Sequence, residues 1–145
     1  MRKILLAVLI IFITAEQWAP AQPQPYMPGE KVFYQIKYGP VGSGRAVLEI
    51  KDGFYKGVPV WHATMKGQTT GIADALYHVR DTYESYIDPE TDLPVFSIRN
   101  ILEGRYKKYN EVAFDQSSRS DSTLVFSDLS GNHTAPKGLL DIVSC

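Results

Sequence analysis

The chain is poor in the features that most quickly betray a function. It has one cysteine, Cys145, in 145 residues, so no internal disulfide framework can staple it. Three histidines are present, His62, His78 and His133, and none has a cysteine or a second histidine at metal-ligand spacing. No metal centre and no cofactor are expected. Charge of one sign is missing as well: 15 basic residues face 16 acidic ones, a formal net charge of −1. A nucleic-acid partner would need a basic face, so none is expected. There is no Gly-x-Ser-x-Gly, which leaves a hydrolase nucleophile elbow without support. The Gly-rich stretch at 39–44 is not followed by Lys-Ser or Lys-Thr, so it reads as a hairpin turn and not as a phosphate cradle. Asp88, Glu90 and Asp92 cluster without the glycine and distal glutamate of a calcium loop, and they read as a solvated hairpin tip. No apolar run reaches the roughly 20 residues that a membrane-spanning helix needs.

What is present begins at the N-terminus. Arg2 and Lys3 precede an apolar run over residues 4–15 that only Thr14 interrupts, and Ala19-Pro20-Ala21 follows. A positive start, a short apolar stretch and a small-x-small site make a secretory signal peptide. Cleavage after Ala21 would leave Gln22 as the new N-terminus. No cysteine follows the apolar run, so a lipid anchor there is not expected, and no span remains after cleavage. Loss of residues 1–21 removes two basic residues and one acidic one, and the balance stays near neutral. The expected location is a periplasm of the Gram-negative type. Residues 22–29 are Pro-rich and read as an extended, poorly ordered lead-in.

From residue 30 the dominant signal is alternation with period two, the mark of half-buried strands. Strands are expected at 30–38, 45–51, 58–68, 79–88, 94–102, 106–115 and 122–126. Ile72, Ala75 and Leu76 fall at helical spacing and predict a short connector helix over 71–77. Leu139, Leu140 and Val143 predict the start of an amphipathic helix from Pro136, with Cys145 as a buried small residue on it. The expected fold is mostly β: a curved antiparallel sheet, as a barrel, half-barrel or sandwich, with one connector helix and a truncated C-terminal helix. The chain reads as one β-rich domain over 30–145. It stops on the apolar run Asp141-Ile142-Val143-Ser144-Cys145, which predicts that the domain continues beyond Cys145.

Several segments together resemble a known family. Glu30-Lys31-Val32-Phe33-Tyr34-Gln35-Ile36-Lys37-Tyr38-Gly39 with Gly44-Arg45-Ala46 is similar to the opening of the DUF3108 family of exported bacterial proteins. Tyr77-His78-Val79-Arg80-Asp81-Thr82-Tyr83-Glu84-Ser85-Tyr86-Ile87-Asp88, followed by Leu93-Pro94, resembles its central block. Asp141-Ile142-Val143-Ser144 resembles the start of a further block. The resemblance implies a curved antiparallel sheet, loosely similar to periplasmic lipoprotein carriers whose half-barrel holds acyl chains. It brings no assigned activity and no catalytic residues.

The aromatics remain. Tyr34, Tyr38, Trp61, Tyr83 and Phe96 all fall on expected strands, where the plain reading is sheet core. The sharper reading is that they line one face of a curved sheet and contact a ligand, since Tyr and Trp offer an apolar body with a polar tip. The function expected is non-enzymatic binding of an apolar or amphipathic ligand: a lipid, a lipoprotein segment or a glycan. The alternatives are a structural or envelope-maintenance protein that docks a partner on its sheet, and an enzyme whose site lies beyond Cys145. Oligomeric state is not legible.

Overall fold

A computed structural model describes residues 26–145 of the chain. The segment read as a signal, residues 1–21, lies outside the described part. Eight antiparallel strands follow one another across a single curved, unclosed sheet: β1 (Lys31–Tyr38), β2 (Val41–Tyr55), β3 (Val58–Thr69), β4 (Arg80–Ile87), β5 (Pro94–Glu103), β6 (Tyr106–Asp115), β7 (Ser122–Ser127) and β8 (Gly131–Pro136). One short helix, α1 (Gly71–Leu76), joins β3 to β4. Spatial order equals chain order, so each strand pairs with its neighbours in sequence. Short polar loops permit this, because antiparallel strands need only a tight turn between them. Among the described residues no helix is long and apolar enough to cross a membrane.

The longest hairpin, β2–β3, shows why alternation was a reliable guide. Lys56 and Gly57 both adopt positive φ, 51° and 81°, as a two-residue type I′ turn requires. That turn sets Tyr55 opposite Val58, and the pairing runs without a slip to Gly44 opposite Thr69. The Gly-rich stretch at 39–44 behaves differently from its expected role as a turn. Only Gly39 and Pro40 make the corner, and β2 already starts at Val41. Ser43 is the extra residue of a bulge facing Ile36 and Lys37, and its hydroxyl donates to the Ile36 carbonyl at 3.2 Å. A bulge absorbs one residue without ending the ladder.

Register sorts the side chains into two faces. On the first, Ile50, Ala63, Ser85, Ser97 and Val112 stand opposite one another in a row from β2 to β6. Ile50, Ala63 and Ile87 form the buried cluster of this face, with Tyr26, Trp61 and Val143 packed against it. The second face is more polar and carries a satellite aromatic group. Tyr55 stacks on Phe96 at 4.8 Å, His62 stacks on Tyr86 at 4.5 Å, and Tyr86 meets Phe96 at 5.7 Å.

Both ends of the described chain fold onto the first face. The end of the Pro-rich lead-in is not loose: Tyr26 meets Trp61 edge-on at 5.8 Å, and the Gly29 amide donates to the Ile50 carbonyl. Its aromatic ring gains more from burial than the PPII segment gains from solvation. The predicted C-terminal helix is absent. Residues 131–136 pair with β7 as β8, and residues 137–145 form turns. Gly138 at φ 75° breaks the chain direction. The Asp141 carboxylate then accepts from the Val143 and Ser144 amides, both at 2.9 Å, which closes a local turn in competition with a helix. Cys145 is exposed, contrary to expectation.

One polar clamp fixes α1. The Asp74 carboxylate accepts from Arg80 at 2.8 Å and from the Thr69 hydroxyl at 2.7 Å. Arg80 first and Thr69 second hold the carboxyl at about 2, below its ordinary 3.8. A carboxyl lowered by folding stabilises the fold above its ordinary value, and that contribution is lost as pH falls through the lowered one. Asp74→Asn should therefore reduce the melting temperature at neutral pH, and the difference from the unmodified protein should vanish by about pH 2. Thermal melts across that range check it.

Candidate functional site

Edge strand β1 is where the first face stops being a core. Val32, Tyr34 and Ile36 point to the same side as Ile50 and Ala63, because Val32 stands opposite Leu48, Tyr34 opposite Ala46 and Ile36 opposite Gly44. Yet they are 41 %, 51 % and 51 % exposed. Core-facing aliphatic and aromatic residues on a strand of this length are ordinarily covered.

Two rows define what lies beside them. Val32, Leu48, Met65, Tyr83 and Arg99 form one row from β1 to β5. The next row begins Tyr34, Ala46, Gly67 and Asp81. Ala46 and Gly67 are small, and a Cβ built on Gly67 would meet nothing within 4 Å. A third row closes the far side, where the Ile36 side chain lies 3.5 Å from where a Gly44 Cβ would stand. The result is an apolar trough with a floor of Ala46 and Gly67 and walls of Leu48, Met65, Tyr34 and Ile36.

Towards β5 and β6 the trough meets a smaller, more polar hollow of about 230 Å³, lined by Tyr83, Ser97, Arg99, Asn110, Asp141 and Ile142 among others. Asp141 is engaged there: its second oxygen accepts from the fully buried Ser85 hydroxyl at 2.7 Å. Burial pushes the Tyr83 phenol above its ordinary range, with Asp81 adding to the rise and Arg99 opposing it. A second apolar cleft, of about 610 Å³, lies at the other end of the strands between the β2–β3 turn and the β4–β5 loop. Tyr55, Val58, Pro59, Val60 and Val95 line it, with Lys56, Asp88 and Glu90 at its margin.

The five aromatics named from sequence do not share one face. Tyr34 and Tyr83 flank the trough, and Trp61 is on the same face, three rows from Gly67 and packed with Tyr26. Phe96 is on the opposite face, stacked on Tyr55, which borders the second cleft. Tyr38 pairs with Val41 next to the first turn. Leu48, Met65, Gly67 and Arg99 escaped the sequence reading. Their common signal is register: a strand shows alternation, but it does not say which residues of other strands stand beside it.

His62 is half-buried on Tyr86, and its Nε2 lies 2.7 Å from Glu84 Oε2 and 3.4 Å from Thr64 Oγ1. A nucleophile relay needs base and orienter on opposite ring nitrogens; here hydroxyl and carboxylate compete for one. Asp88 accepts from the Glu90 amide and the Thr91 hydroxyl, which makes residues 88–93 a self-capped loop. Among the described residues no group of three His, Cys, Asp or Glu is placed to hold a metal ion.

The arrangement thus offers an open apolar surface with a polar end. No curated protein and no solved structure matches the chain. Residues 34–144, which include every strand from β2 to β8 and both rows of the trough except Val32, match the family described as a protein of unknown function, DUF3108, and the chain belongs to that family.

Proposed function

We propose that this is an exported, non-enzymatic protein that holds an apolar or amphipathic ligand in the trough between β1 and β4. The observation that carries the reading is the half exposure of Val32, Tyr34 and Ile36 on the face that holds the buried cluster. Apolar surface kept in water costs about 25 cal/mol per Å² relative to burial, so a ligand that covers it gains that amount. Small residues at Ala46 and Gly67 supply room for it, and the meander supplies a rigid floor. Export to a periplasm is proposed from residues 1–21, and a lipid or other envelope component is the ligand class that such a location offers.

A second reading has its own support. β1 is an edge strand with apolar side chains on both sides, since Phe33, on the second face, is 71 % exposed. Such an edge is a template for pairing with another chain. One experiment separates the two. Native mass spectrometry of the protein purified from periplasm, with solvent extraction, should show a small lipid-like adduct at near-stoichiometric level. A co-purifying protein crosslinked at β1, with no extractable lipid, would replace the first reading by the second. A clean ligand-free species that also fails to take up an added apolar probe would remove the first outright.

A further inference from the structure

Arg99 closes the trough row with a buried nitrogen that lacks an acceptor. Its Nε is buried and makes no hydrogen bond among the described residues, and no carboxylate is within ion-pair distance of it there. A buried guanidinium nitrogen without an acceptor is costly, and such groups are ordinarily paired. Its polar neighbours hydrogen-bond elsewhere. Asn110, directly opposite on β6, donates to Ser127 at 3.1 Å and also to Asp128. Asp81 accepts from the Leu102 amide at 3.1 Å. Asp141 takes the Ser85 hydroxyl and two amides.

The position of this cation is as informative as its isolation. Tyr83 and Arg99 are direct cross-strand partners, so the guanidinium stands where the apolar row ends. Four strand spacings separate Val32 on β1 from Arg99 on β5, about 19 Å of sheet. Lys108 stands on the same face as Arg99, diagonal to it on β6. Beside this row, on the side away from the buried cluster, stand the small residues Ala46 and Gly67.

Resting on the ligand-binding reading above, we infer that the trough takes a single-chain amphiphile with a carboxylate head, a long-chain fatty acid, with its tail between β1 and β4 and its head on Arg99. A guanidinium matches a carboxylate in bidentate fashion. A monoanion suits the hollow better than a dianionic phosphate, because Asp141 lines it and repels a second negative charge. The tail then covers Val32, Leu48 and Met65, and the head supplies the acceptor that Arg99 Nε lacks.

The test is a ligand series on the whole protein by titration calorimetry: palmitate, hexadecanol, hexadecyl phosphate and hexadecyltrimethylammonium, with Arg99→Gln as the variant. Palmitate should bind at least about tenfold tighter than hexadecanol, as a charge-assisted hydrogen bond provides, and tighter than the phosphate. The cationic amphiphile should bind most weakly. Arg99→Gln should erase the palmitate preference, so that palmitate binds no tighter than hexadecanol. The comparison of ligands on the unmodified protein needs no variant, so a misfolded Arg99→Gln does not spoil it. Equal binding of palmitate and hexadecanol would overturn the role of Arg99 and leave the trough intact as a binding site. Tighter binding of the phosphate would overturn the carboxylate head. Failure of all four to bind would overturn the binding reading itself.

Discussion

Gly67→Leu should abolish binding of an apolar ligand while the melting temperature stays the same or rises. The two effects part company because of where Gly67 sits. It lies inside β3 between Ala46 and Asp81, and a Cβ there meets nothing within 4 Å. Its φ is not in the left-handed region, so a larger residue fits the strand without backbone strain. Glycine in a strand interior costs about 0.5–1 kcal/mol relative to alanine, and replacing it returns that amount. The leucine side chain, however, fills the floor of the trough. Displacing some four methylene groups of a bound chain costs about 3 kcal/mol at roughly 0.8 kcal/mol each, a loss of about 150-fold in affinity. Probe titration beside a thermal melt reads both quantities. Normal binding by a well-folded Gly67→Leu protein would move the site elsewhere, with the cleft at the β2–β3 turn as the next place to look.

Ile87→Ala carries the largest expected loss of stability, about 3–4 kcal/mol. Ile87 is 1 % exposed and shares its cluster with Ile50 and Ala63. Ala63 is already small, so the cluster has little side chain with which to refill the gap. Domains of this size have a total stability of about 5–15 kcal/mol, so the loss is a large share of it. Val143 packs on the same cluster, and its amide bonds to Asp141. The substitution should therefore loosen residues 137–145, seen as faster amide exchange at Val143 and Ser144 before global unfolding. Ile87→Val should cost only about 1 kcal/mol. A loss under 1 kcal/mol for Ile87→Ala would mean that the stabilising core lies elsewhere on the sheet.

Most strands with clear alternation were legible to within a residue or two, as at 58–68 against Val58–Thr69 and 106–115 against Tyr106–Asp115, whereas the strand read at 45–51 runs Val41–Tyr55. Three features were not. β8 is Gly-Asn-His-Thr-Ala-Pro, polar and exposed, without an alternating pattern; its pairing with β7 comes from tertiary proximity. Leu139, Leu140 and Val143 have helical spacing, but only Val143 packs against the buried cluster, and the side chain of Asp141 closes a turn instead. Tyr26 sits in a segment whose proline content says extended, and Trp61 captures it. In each case local propensity was weak: a hairpin decided β8 and an Asx-type turn residues 141–144, and only for Tyr26 did a contact distant in sequence decide the outcome.

Composition and period alone determined a β-rich domain held by an apolar core, because one cysteine leaves no disulfide and alternation leaves no other secondary structure for most of the chain. They also gave no positive sign of a nucleic-acid partner or a calcium-type loop. The signal-like start and the expected export come from residues 1–21 and rest on sequence. What only the tertiary structure decided is which alternating residues share a surface. Register placed Tyr34 and Tyr83 around Gly67 and sent Phe96 to the other face. It also brought Arg99 to the end of an apolar row without a carboxylate to meet it. The physical reason is that a strand fixes only the alternation of its own side chains, whereas a trough is a property of five strands in register, and that register is set by turns, bulges and burial acting together.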